Sequence, residues 1–241
     1  MNDVLAELQD RSRTYRVVLI LALAAAGLRL ALHGIYVGVM LYPDRSPIEA
    51  VPLWIETQDE SRLPMDVQIY VDAARRFQNR QELYANADVI EVYQYPPAYA
   101  VAFIPFLFLS PLGIAVVHTG LHILAYLGLF LSWHRIFDSL GLAQAKDKLI
   151  TLLPLWLVFA GFWSDLAYLN IYLIVALIST FLIEAVIHER LGAAVLWLSV
   201  LLHIKPHWAF AAVVPLLLGR YRFFLKLVGF FSSLTFSWWW D

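Results

Sequence analysis

A chain of 241 residues that is 61% hydrophobic and 15% charged, with mean hydropathy +0.68, carries more apolar side chain than a water-soluble surface could hide. That excludes an ordinary soluble domain, and a net charge of −2 offers no basic field for nucleic acid. With no cysteine, disulfides, thiolate catalysis and cysteine metal sites are excluded as well.

The pattern predicts an all-α, polytopic transmembrane helix bundle in a single membrane domain. Hydrophobic segments fall at 17–39, 97–109, 113–133, 149–163, 171–187, 191–204, 208–218 and 223–240. A crossing needs about 20 residues, so the shorter segments predict tilted, broken or re-entrant helices. The first segment is too long for a cleavable leader, and no small-residue cleavage site precedes a soluble domain. Basic residues cluster at Arg11, Arg13 and Arg16, at Arg135, Lys146 and Lys148, and at Arg220, Arg222 and Lys226. If all three clusters are cytoplasmic, residues 1–16 form a cytoplasmic N-terminus and 43–96 a long extracytoplasmic first loop, with the bundle over 97–240. The stretch 164–170 reads as a further outer loop. Three full crossings between Arg16 and Arg135 would break this parity. A segment 97–109 that dips in and returns, broken by Pro96, Pro97, Pro105 and Pro111, restores it.

The polar island between Tyr42 and Pro97 carries the chemistry. From Asp66 the apolar positions Val67, Tyr70, Val71, Ala74 and Phe77 recur at helical spacing, opposite Gln68, Asp72, Arg75, Arg76 and Asn79. This predicts an amphipathic helix lying at the interface, its apolar face toward lipid or the bundle. Asp66 in its first turn is either an N-cap or a general base at the membrane surface, and the two roles are compatible. Glu56, Asp59 and Glu60 read as a solvated loop. Tyr95-Pro96-Pro97 restricts the backbone where the chain re-enters the bundle.

Ionisable residues inside the apolar segments are the other candidates. Lys205 is flanked by His203 and His207, and reads as an anion-binding group ahead of a snorkelling one. The two histidines lack a third ligand, so a metal site is not predicted. Arg29 reads as a paired structural charge, with a lipid-phosphate contact as the second reading. His118 and His122, four apart, read as interhelical hydrogen-bonding groups. The nine Trp fall mostly at segment ends, as interfacial anchors do.

Asp66 with Tyr70 and Ala73-Ala74, then Leu83-Tyr84, Tyr95-Pro96-Pro97 and Ile204-Lys205-Pro206 together resemble the C-fold membrane glycosyltransferases. The pattern is most similar to glycosyltransferase family 87, the polyprenyl-phosphate-mannose-dependent mannosyltransferases of bacteria. Tyr168-Leu169-Asn170 falls where that family carries Gly-Gln-Xaa-Asn, of which only Asn170 is kept. The chain is shorter than family members and ends on Trp238-Trp239-Trp240-Asp241 directly after an apolar run, which reads as an N-terminal fragment. The resemblance implies a hexosyltransferase of the cell membrane, with its active face extracytoplasmic. It would move one sugar, mannose in the family, from a polyprenyl phosphate to a lipid or glycan acceptor with inversion, needing neither metal nor cofactor. Asp66 would be the base, with Lys205, His203, His207, Tyr70, Tyr95, Asn170 and Arg29 as substrate-binding residues. A lipid or polyprenyl-carrier transporter is the reading from another class. It expects paired broken helices in two similar halves, and no second copy of the 66–97 pattern exists. A truncated, inactive scaffold is the third.

Overall fold

A computed structural model describes residues 2–42, 63–84 and 93–237, and among these every regular element is helical. The chain opens with α1 (Asn2–Gln9) and α2 (Arg13–Leu41). After 43–62, which hold the Glu56, Asp59 and Glu60 cluster and lie outside the described residues, come α3 (Met65–Gln78) and α4 (Pro97–Phe103). A 3-10 helix (Ile104–Phe108) leads from α4 into α5 (Pro111–Ser139). Then follow α6 (Ala143–Thr151), α7 (Leu153–Leu157), α8 (Ala160–Tyr168), α9 (Tyr172–Ile187) and α10 (Leu191–Ile204). A second 3-10 helix (Pro206–Val213), α11 (Val214–Leu217) and α12 (Tyr221–Ser237) complete it.

Two helices, α2 and α5, are long and apolar enough to cross a membrane, and the bent run from Ala143 to Tyr168 makes a third if it is counted as one span. At 29 residues each, α2 and α5 are about 43 Å long. Both start on a serine cap: Ser12 Oγ accepts from Tyr15 N–H at 3.2 Å, and Ser110 Oγ from Gly113 N–H at 3.1 Å. Leucines and isoleucines such as Ile20, Leu28 and Leu124 stand exposed on their outer faces, as lipid contact requires.

The helices share two ends. At one, Arg11 pairs with Asp147, Lys146 with Glu7 and Asp138, Arg135 with Glu184, and Arg220 with Glu189. Members of all three basic clusters therefore lie together. At the other end α3 packs against α4, the 3-10 helix that follows it and α8. Both α4 and the 3-10 helix after it lie against α3, so the segment from Pro97 to Phe108 stays at this end.

The run from α6 to α8 is bent by 53°. Pro154 has no N–H to give Ile150, and the Ile150 carbonyl accepts instead from the Tyr15 hydroxyl of α2 at 2.5 Å. At the second break the carbonyls of Trp156 and Leu157 accept from the Tyr126 hydroxyl and from Trp163 Nε1–H. Trp163 is thus buried inside the bundle. Residues 164–168, expected in a loop, are the end of α8: Asp165 and Leu166 are buried against the core, which favours continuing the helix over exposing it.

Candidate functional site

The α3 helix begins after Pro64, whose fixed backbone starts the first turn without a side-chain cap. Asp66 is therefore a first-turn carboxylate, favoured there by the helix dipole, and the N-cap reading is corrected. Val67, Tyr70, Val71 and Ala74 are buried, so the amphipathic helix turns its apolar face to the bundle, while Phe77 beyond them is exposed. Tyr70 is four residues from Asp66 and shares its face. A groove of about 620 Å³ between Phe77, Gln81, Tyr84 and Ile104 runs beside the C-terminal end of α3.

Tyr70 Oη donates to Asn170 Oδ1 at 3.1 Å, and Ile171 N–H donates to the same oxygen at 2.7 Å. Because the single Tyr70 proton is used there, the 2.9 Å contact between Tyr70 Oη and Tyr95 Oη is a bond donated by Tyr95. The Lys205 ammonium lies over the Tyr95 ring, its charge within electrostatic reach of the hydroxyl. The result is a directed chain from Tyr95 to Tyr70 to Asn170 with Lys205 beside its first member, drawn from four distant parts of the sequence.

Lys205 reaches this chain because of its neighbour in sequence. Pro206 forces the preceding residue out of helical geometry, and Lys205 has extended backbone (φ −140°, ψ 91°) where α10 ends. Its side chain is buried, with Nζ 3.6 Å from the centre of the Tyr172 ring and 4.9 Å from that of Tyr95. Such a cage stabilises a cation through the ring faces. Among the described residues, no carboxylate forms an ion pair with Lys205.

Burial pushes the phenols of Tyr70, Tyr93 and Tyr95 above the ordinary tyrosine range. The nearby Lys205 charge moderates the rise at Tyr95. The Asp66 carboxylate opposes ionisation of both Tyr70 and Tyr95, so it lies within electrostatic reach of each.

Five of the candidate residues thus meet at one end: Asp66, Tyr70, Tyr95, Asn170 and Lys205. Three do not. His203 is exposed, and its Nδ1 donates to Ser199 O of its own helix at 2.7 Å. His207 is exposed on the far side of the helix break at Lys205. Arg29 stands deeper, its guanidinium 5.5 Å above the Trp163 ring, with no carboxylate partner among the described residues. Tyr99 and Tyr172 join the cluster although sequence reasoning passed over them, since aromatics at helical spacing read as core. His122 bonds within its own helix, to the His118 carbonyl, and faces Asp165 on α8. Among the described residues no three His, Asp or Glu side chains converge as a metal ion requires.

No family model, curated protein or solved structure matches this chain.

Proposed function

We propose that this end of the bundle binds a lipid-linked sugar phosphate and transfers its sugar. The observation that carries the reading is Lys205: a buried ammonium between two tyrosine rings, with no carboxylate ion pair among the described residues and a carboxylate-bearing helix turn nearby. A buried cation without a counter-ion is costly, and an incoming phosphate removes that cost. The departing phosphate gains negative charge, which Lys205 would stabilise. Asp66 would take the proton of the acceptor hydroxyl as that oxygen attacks the anomeric carbon opposite the phosphate, inverting configuration. The groove beside Phe77 and Tyr84 gives an acceptor a way to the same end. The resemblance to polyprenyl-phosphate-mannose-dependent enzymes names mannose as the first sugar to test, with donor and acceptor at the extracytoplasmic face.

The test uses membranes containing the protein, polyprenyl phosphate carrying radiolabelled mannose, and a lipid or glycan acceptor. Asp66→Asn should lower label transfer by at least about 100-fold, the lower range for losing a general base. Lys205→Met should lower it by a similar factor. Undiminished transfer in Asp66→Asn overturns the base assignment. Label that crosses the membrane without changing chemical form would make the protein a carrier of the lipid.

A further inference from the structure

A second polar cluster lies beneath the tyrosine chain and takes no part in the proposed transfer. His122 is fully buried and Asp165 is 8% exposed, with His122 Nε2 3.4 Å from Asp165 Oδ2. The other ring nitrogen, Nδ1, is 2.8 Å from the main-chain oxygen of His118. A carbonyl oxygen only accepts, so Nδ1 carries a hydrogen, and in a neutral imidazole Nε2 is then bare. A bare Nε2 facing an ionised carboxylate sets lone pair against lone pair in an apolar interior. One proton placed between them removes the conflict, giving either imidazolium with carboxylate or imidazole with carboxylic acid. Both forms are neutral as a pair, whereas the proton-free pair leaves one buried anion.

Among the described residues no other group forms an ion pair with Asp165, and a main-chain amide is its one other hydrogen-bond donor. On the His122 side, His118 lies with its ring 4.9 Å away, and its own Nδ1 has no partner among the described residues. From α2 comes His33, 3.1 Å from Thr119 Oγ1. From α4 comes Tyr99, whose buried hydroxyl has no hydrogen-bond partner among the described residues, with Tyr70 and Asp66 of α3 beyond it. The Arg29 charge is held over Trp163. From α9 the Leu173 amide donates to Asp165 Oδ2 at 3.1 Å, while Oδ1 has no partner among the described residues.

We propose that His122 and Asp165 form a buried proton-binding site that holds one shared proton at neutral pH. The site stands on its own hydrogen-bond accounting and does not depend on the transfer reaction. Its place in the fold gives the proton structural consequence. Asp165 accepts from Asn170 N–H through its main chain at 3.0 Å and from Leu173 N–H through its side chain. The pair therefore anchors the α8–α9 turn that presents Asn170 to Tyr70.

The experiment uses the full chain in lipid nanodiscs, labelled with ¹⁵N in its histidine rings, at about two pH units above the ordinary histidine value of roughly 6.5. The expected result is one ring protonated at both nitrogens, or an infrared carbonyl stretch from a protonated aspartic acid, according to where the proton rests. Asp165→Asn should abolish whichever signal is seen. If that variant fails to fold, His122→Gln assigns a ring signal and ¹³C-aspartate labelling assigns a carboxyl signal. Neither signal in the wild type, or one that survives undiminished in Asp165→Asn, overturns the site.

Discussion

The hydroxyl of Tyr70 holds two partners at once, and one atom shows what this costs to change. In Tyr70→Phe the ring still fills its place among Tyr95, Tyr99 and Phe103, but Asn170 loses a donor and Tyr95 an acceptor. Stability in detergent should fall by about 1–3 kcal/mol, the range for stranding a buried polar group. Tyr70→Ala should cost more, about 3–5 kcal/mol, because the ring is lost too. Chaotrope unfolding of both variants checks the ordering, which an equal loss would contradict. The same phenols predict an alkaline response. Their folded pKa values lie above the unfolded value near 10, so their contribution is complete below pH 10 and is lost as pH rises further. Phenolate absorbance should show these tyrosines ionising together with unfolding. Asp66, Tyr95 and Lys205 were legible in the sequence because a charge or a proline stands out against an apolar background. Asp165 was not, because a lone aspartate between two apolar runs looks the same whether it faces water or His122. His203 and His207 flank Lys205 in the sequence, yet both side chains are exposed while that of Lys205 is buried.

Between elements, the α8–α9 junction turns on Leu169, a non-glycine residue with φ +50°. A left-handed backbone costs a leucine about 1–2 kcal/mol, yet this side chain is completely buried. Leu169→Gly removes the strain and leaves a void worth about 2–5 kcal/mol, so the variant should be less stable despite the better backbone fit. A stabilised Leu169→Gly, by thermal unfolding in detergent, would show that strain dominates the turn. The long helices α2 and α5 were readable from uninterrupted apolar runs flanked by Ser12 and Ser110. The amphipathic period also marked α3, although which partner its apolar face meets is decided by α4 and α8, far along the chain. Residues 164–168 read as a loop because Ser164 and Asp165 are polar, and it is the burial of Asp165 and Leu166 that favours the helix.

At the scale of the whole molecule, charge and chemistry are sorted to opposite ends. Arg11, Lys146 and Arg220 share one end; Asp66, Tyr95 and Lys205 share the other. The chain has no cysteine, so a single introduced thiol reports its side without background. Glu82→Cys and His207→Cys should react with an impermeant reagent from one side of sealed vesicles, and Asp147→Cys from the other. Labelling of positions 82 and 207 from different sides would separate the residues that the proposed chemistry joins. The bend between α6 and α8 bears on the same architecture. A kinked helix in hydrocarbon ordinarily draws in water to solvate the carbonyls it frees. Here Tyr15, Tyr126 and Trp163 supply those donors from within the protein, so the span can change direction and remain dry. Amide exchange across the kink should then be nearly as slow as in a straight helix, and removing the Tyr126 hydroxyl should let solvent in at that one level.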